Sequence, residues 1–158
     1  VGLKVVGNFT TKLSELKTGD TLLVRGPFGM FAQKMAGASH AIWIAGGIGI
    51  TPFLSMAKEV TNNQKVEMYF CARVMPAKVI TEPFASLSER NAKFLWHPCE
   101  SSRGGHLTGR RVFDETGRDL FAYYMLCGPK PMMEGLAEEL AQVGVRRSHI
   151  VYEDFAFK

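Results

Sequence analysis

The stretch IAGGIGITPF, Ile44 to Phe53, decides the fold. It places three glycines, Gly46, Gly47 and Gly49, between an apolar run and a Thr-Pro pair. The charge-free segment around it, Ala41 to Ala57, is 17 residues long. That is just short of the roughly 20 apolar residues of a spanning helix, and the glycines and Pro52 interrupt it. A buried strand running into a helix accounts for it better, with Thr51 as N-cap and Pro52 at the first helical position. Glycine lets the backbone turn tightly and lets an anion approach without a Cβ in the way. The first N–H groups of the following helix and its dipole then favour negative charge. In isolation the stretch reads equally well as a bare strand–helix turn.

The flanking sequence repeats the pattern. Ala41 to Ala45 reads as the first strand and 51–60 as a helix. Strands are predicted at 66–73, 93–97, 122–127 and 150–153, with helices at 81–90 and 131–143 and a weak one at 111–116. Gly144 marks the end of the helix over 131–143. Strands that are near-continuously apolar and alternate with helices imply a doubly wound α/β fold, a five-stranded parallel sheet covered on both faces. Ligands of such sheets sit at the carboxyl ends of the strands. The residues to weigh are therefore Gly46–Thr51, Arg73, Ser101–Arg103 and Cys127–Pro129.

Residues 1–36 read differently. Thr18-Gly19-Asp20 is a turn, Thr21 to Arg25 a strand, and residues 10–16 one or two helical turns. This region is too short for a domain of its own and reads as the last part of an antiparallel barrel or sheet. AQKMAGASH is the linker, so the expected division is 1–36 and 37–158.

Composition narrows the function classes. A net charge of +4 on 158 residues is mildly basic and suits a small anionic ligand. Lys and Arg are scattered rather than blocked, which argues against nucleic acid as a partner. The three cysteines, Cys71, Cys99 and Cys127, are far apart, so neither a disulfide framework nor a metal site is expected, and a reducing compartment fits. His97, His106 and His149 read as surface or loop residues. The first residue is Val1 and no signal peptide follows, so the chain reads as a fragment or a processed form.

Four motifs, GPFGMF, AGGIGITPFLSM, CGPKPMMEGL and the terminal YEDF, stand in the order found in the ferredoxin–NADP⁺ reductase superfamily. Across essentially its whole length the chain resembles that superfamily, and within it the ferric-reductase-like flavoproteins of bacteria and their NADPH-oxidase relatives. The resemblance implies an NAD(P)-binding domain preceded by a remnant of an antiparallel FAD-binding barrel. It implies hydride transfer from NADPH or NADH to FAD. It further implies a parent chain whose haem-bearing transmembrane part leaves this domain on the cytoplasmic face. GNFT, Gly7 to Thr10, is similar to the superfamily's flavin-phosphate motif and assigns Thr10 to FAD. Gly46, Gly47, Gly49, Ile50, Thr51 and Pro52 would hold the NAD(P)H pyrophosphate. Cys127 would lie near nicotinamide C4, with Gly128 and Pro129 shaping that pocket. Glu153 would polarise the site, and Phe155 would cover the flavin ring. The superfamily's Arg-x-Tyr/Phe-Ser/Thr flavin motif is not found in the chain.

Nucleotide preference turns on the 2′-phosphate, which Arg binds in bidentate fashion. Arg73 after the second strand, with Ser101 and Arg103 after the third, resembles the NADP-selective members. No acidic residue immediately follows the second strand, although Glu100 follows the third. Two other readings stay open. One is a soluble ferredoxin or flavodoxin reductase relative, and the other is a nucleotide-sensing module without redox chemistry.

Overall fold

The computed structural model describes residue 5 and residues 7–26, 29–35 and 37–153. Pro27 and Phe28 of the GPFGMF turn, and Phe155, lie outside them. Five strands, β1 His40–Gly46, β2 Lys65–Ala72, β3 Phe94–Glu100, β4 Tyr123–Cys127 and β5 Ile150–Glu153, form one sheet in the order β3-β2-β1-β4-β5. Every pairing is parallel. The helices are α1 Asn8–Ser14, α2 Thr51–Met56, α3 Lys78–Arg90, α4 Ser101–Gly104, α5 Gly109–Glu115 and α6 Lys130–Gln142. The expected doubly wound sheet is thus present, with each of its five strands within a few residues of its predicted place.

β1 lies at the centre and is buried along its whole length. Its side chains alternate between two cores. Ala41, Trp43 and Ala45 join Phe53, Met56, Phe84 and Phe94 under α2 and α3, whereas Ile42 and Ile44 join Val112, Phe113, Leu136 and Leu140 under α5 and α6. Trp43 anchors the first core. It stacks on Phe53 at 5.3 Å, meets Phe94 edge-on at 5.9 Å, and directs its indole N–H to the Met35 sulfur at 3.3 Å. A fully buried Trp thus keeps a partner for its one polar atom.

Three expectations are corrected. First, Thr21–Arg25 is not a strand. A strand needs a ladder partner, and no other strand lies among the described residues before β1. Leu22, Leu23 and Val24 are accordingly 55%, 91% and 68% exposed. Second, α2 is shorter than predicted. Past Met56 the N–H groups of Lys58 and Glu59 reach back only three residues, to Ser55 and Met56, so the chain tightens out of the α-helix. Third, Thr51 does not cap α2, because its hydroxyl donates backwards to the Ile48 carbonyl at 3.0 Å. A 3₁₀ turn, Gly47–Ile50, feeds the helix instead.

No described residue before position 27 is buried, whereas Phe31 and Met35 pack into the core beside Trp43 and Phe53. Phe31 was expected at the end of the barrel remnant and Met35 in the linker.

Candidate functional site

Strand order reverses between β1 and β4, and it is there that loops leaving a doubly wound sheet splay apart. The two loops that meet at this point are Gly46–Ile50 and Cys127–Pro129. They are held together backbone to backbone. A Cβ on Gly49 would sit inside the Cys127 carbonyl, and one on Gly128 would lie 2.9 Å from the Gly46 backbone. A Cβ on Gly46 would meet Met132 Sδ at 2.6 Å. These three glycines are thus required by packing. Gly47 differs: its φ is +54°, no atom lies within 4 Å of where a Cβ would be, and it is exposed. Of the triplet, only Gly47 has both the left-handed backbone and the open space that the anion reading needs.

Gly47 and Ile48 open onto a cavity of about 1560 Å³ that runs over the carboxyl ends of β1, β2 and β3. Gly46, Ile50, Thr51, Arg73, Ser101 and Pro129 also line it, as the sequence predicts. Lys58, Arg90 and His106 line it too, and the sequence alone does not single them out. The loop sequence RGGHLTG, glycine-rich after a strand, was the available signal for His106. Among the described residues Glu139 is the one carboxylate in this lining, and its Oε2 accepts from the Gly109 N–H at 2.6 Å at the start of α5. The walls are therefore cationic, which suits an anionic guest.

Arg73 and Ser101 are fixed as a pair. Ser101 Oγ donates to the Ala72 carbonyl at 3.4 Å, and the Ser102 N–H donates to the Arg73 carbonyl at 3.3 Å. Arg103 does not join them. Its side chain is 84% exposed, pairs with Glu100 at 3.2 Å, and is not part of the cavity wall. Nor do Gly49, Pro52 and Gly128 reach the cavity.

Cys127 also lies off the cavity and is fully buried. It is in register with Ala45 on one side and Glu153 on the other. Burial, and then the Glu153 carboxylate, push its thiol up to about 12, so it is neutral near pH 7 and no nucleophile. Glu153 faces the leading segment, since a Cβ on Gly29 would lie 3.2 Å from its Oε1. Thr10 sits in α1, where its hydroxyl donates to the Gly7 carbonyl at 2.9 Å and accepts from the Gly7 N–H at 3.0 Å.

A second polar cluster, missed from the sequence, lies at the opposite end of the sheet. Glu67 of β2 is 2% exposed and lies 2.6 Å from Lys65 Nζ, 3.2 Å from His40 Nε2 and 3.4 Å from His97 Nε2. His40 Nδ1 lies 2.8 Å from Asp119. Burial would raise the Glu67 carboxyl, but the close approach of His40, His97 and Lys65 outweighs it and holds it well below the usual carboxylate range. Its signal was a lone glutamate inside the apolar run VEMYF.

Residues 43–138 match the family model described as an oxidoreductase NAD-binding domain. The chain belongs to this family. Among curated relatives, this NAD-binding domain is 30% identical to a subunit of the Na(+)-translocating NADH-quinone reductase of Pseudomonas aeruginosa, over 94% of the chain and 40% of that protein. It is 28% identical to the corresponding Marinomonas protein over the same shares. The chain thus spans well under half the length of these relatives. Among solved structures, a flavohemoglobin from Malassezia yamatoensis with bound FAD and heme superposes with a TM-score of 0.75 at 21% identity, covering 99% of this chain and 43% of that one. An Amycolatopsis cytochrome P450 reductase superposes with a TM-score of 0.65 at 19% identity, covering 82% of this chain and 42% of that one. At those identities the likeness is one of fold. The NAD-binding domain is therefore of ferredoxin-reductase-like architecture, as the four motifs imply. Among the described residues no helix is long and apolar enough to cross a membrane.

Proposed function

We propose that this domain delivers hydride from a nicotinamide dinucleotide, NADPH in preference to NADH, to an FAD held beside it. The observation that carries the reading is the clamp between the Gly46–Ile50 and Cys127–Pro129 loops at the strand-order reversal, with a cationic cavity on one side and the Cys127–Glu153 pair on the other. The dinucleotide pyrophosphate would lie over Gly47, whose open left-handed backbone admits it. Its adenosine end would reach Arg73 and Ser101, and His106 and Lys58 add donors to the same cavity. Thr51 serves by stiffening the loop through its bond to Ile48.

The nicotinamide end would cross the seam toward Cys127. That thiol is uncharged and buried beneath the seam, so it leaves the hydride's path free of a competing base. Glu153, half-buried one strand further out, is the residue of this chain placed to hold a proton or polarise the flavin edge. Flavin, when bound, supplies the two-electron acceptor chemistry. The residues present fit the edge of a flavin site rather than a whole one. Gly29 and Glu153 meet there, and the exposed Leu22, Leu23 and Val24 offer an apolar surface for a barrel to cover. Phe155 is proposed as the ring cover and Thr10 as a flavin-phosphate contact on the motif resemblance alone.

The test uses the full-length protein with FAD under anaerobic conditions. Adding NADPH should bleach the oxidised flavin band within the mixing time, and an unchanged band would sink the reductase reading in favour of a sensing module. For nucleotide choice, Arg73→Ala should raise the KM for NADPH about tenfold and leave NADH within about twofold, the loss of one charge-assisted contact. Arg103→Ala should leave both near wild type. Equal effects of Arg73→Ala on the two nucleotides would remove it from the 2′-phosphate end.

The parent protein is proposed to be a membrane oxidoreductase with this domain on its cytoplasmic face. The motif resemblance favours a ferric-reductase-like parent with a haem-bearing transmembrane part. The relatives, subunits of a sodium-translocating NADH-quinone reductase, favour a parent that passes electrons toward quinone. Comparing Fe(III)-chelate and quinone reduction by the full-length protein separates the two.

A further inference from the structure

We propose that Cys71 and Cys99 form a redox-active dithiol in the cavity wall, converted to a disulfide by hydroperoxides. The two lie far apart in sequence, yet the β2–β3 register makes them direct Cα partners. Neighbouring strands are about 4.8 Å apart, inside the Cα separation of about 4.4–6.8 Å that a disulfide spans. Partners in register project to the same face, here the one carrying Tyr69 and α5. Both cysteines are partly exposed and both line the cavity, whereas Cys127 is buried and does not.

The pair is chemically asymmetric. Cys71 and Cys99 face one another across the ladder, and each shifts the other. The Cys71 thiol beside it, with the Arg111 guanidinium on α5 and His97, lowers Cys99 against the opposing effects of burial and Glu115. The Cys99 thiol, together with burial, raises Cys71. Cys99 is thus the attacking sulfur and Cys71 the resolving one. As a neutral thiol Cys99 also lies 3.4 Å from the His97 carbonyl, a weak contact that ionisation gives up. Tyr69, also on this face, is pushed upward by burial and then by Glu67, and stays neutral.

The chemistry balances in two steps. Cys99 thiolate attacks the peroxide, forming an S–O bond as the O–O bond breaks. The departing oxygen takes a proton and leaves as water, or as the alcohol from an organic hydroperoxide. Cys71 then loses its proton and attacks the Cys99 sulfur. The S–S bond forms, the S–O bond breaks, and hydroxide leaves with that proton as water. Two thiols are oxidised by two electrons and one peroxide is reduced. The inference concerns the cavity wall and holds whichever guest the cavity takes.

The test is peptide mapping of the full-length protein after hydrogen peroxide treatment, with free thiols alkylated on unfolding. The expected result is a linked peptide pair joining Cys71 to Cys99, lost on reduction with dithiothreitol, while Cys127 remains alkylated. In Cys71→Ser, Cys99 should accumulate as a dimedone-reactive sulfenic acid at least about tenfold faster than Cys71 does in Cys99→Ser. The linked peptide in the wild-type protein needs no variant to fold. Full alkylation of both cysteines after peroxide, or oxidation of Cys127 at the same rate, would overturn the proposal.

Discussion

Gly49→Ala is expected to destabilise the domain by about 3 kcal/mol, at the top of the range for overpacking, and to lower Tm by roughly 10 °C. The added Cβ would occupy the space of the Cys127 carbonyl, and that carbonyl belongs to the end of a central strand, not to a flexible side chain. Either the Gly46–Ile50 loop lifts away or β4 shifts against β1, and both loops move with it. Gly47→Ala supplies the contrast. Its Cβ meets nothing, so the change costs about 1 kcal/mol for a left-handed alanine. It should nevertheless raise the KM for the dinucleotide about tenfold, because the new methyl stands where phosphate approaches. Thermal denaturation and steady-state kinetics of the two variants measure this directly. A Gly49→Ala protein as stable as wild type would refute the clamp, and a Gly47→Ala protein with unchanged KM would remove the phosphate from that loop.

Glu67→Ala is expected to cost about 3 kcal/mol, since removing one member of a buried ionic cluster strands the others. Glu67→Gln keeps the shape and should cost less. The pH dependence separates the charge from the packing. The Glu67 carboxyl is depressed in the folded protein, so the unfolded chain binds its proton more readily. The stability it contributes is fully present above the ordinary glutamate value of about 4.3 and is lost as pH falls below it. Asp119, lowered through His40 and the Phe121 and Ala122 N–H groups against the opposing effect of burial, adds to the same loss. Chemical denaturation at pH 7, 5, 4 and 3 should show the wild type losing its margin over Glu67→Gln between pH 5 and 3. A margin that stays constant to pH 3 would show that the charge contributes nothing.

The sequence made the scaffold legible because its strands are apolar runs of the right length and its helix ends carry their own signals. Val66–Phe70 and Tyr124–Cys127 announce themselves as buried, and Gly144 falls where α6 ends. What it could not convey was register. Nothing local in Cys71 or Cys99 says that they are neighbours, because that depends on how β2 slides against β3. The same gap hid Glu67, whose partners come from three strands and which reads alone as an odd residue in a strand. The glycine triplet was legible as a turn but not as a division of labour, since a Cβ clash is a property of two loops and not of one. Arg103 shows the converse. Its residue type and loop suit a phosphate, yet its side chain is 84% exposed beside Glu100 and outside the cavity wall. Thr21–Arg25 has a strand's composition but no partner strand among the described residues, and pattern alone does not supply one.

The seam between Gly49 and Cys127 has a consequence for redesign. Because the two loops are locked to each other, the end of the cavity nearest the chemistry behaves as a fixed part. Among the described residues, the loops after β2 and β3 make no backbone hydrogen bond to it and can be exchanged separately. Swapping Arg73 and Ser101 for residues that suit another dinucleotide should therefore retune selectivity without disturbing the turnover end, a modularity built from three missing side chains.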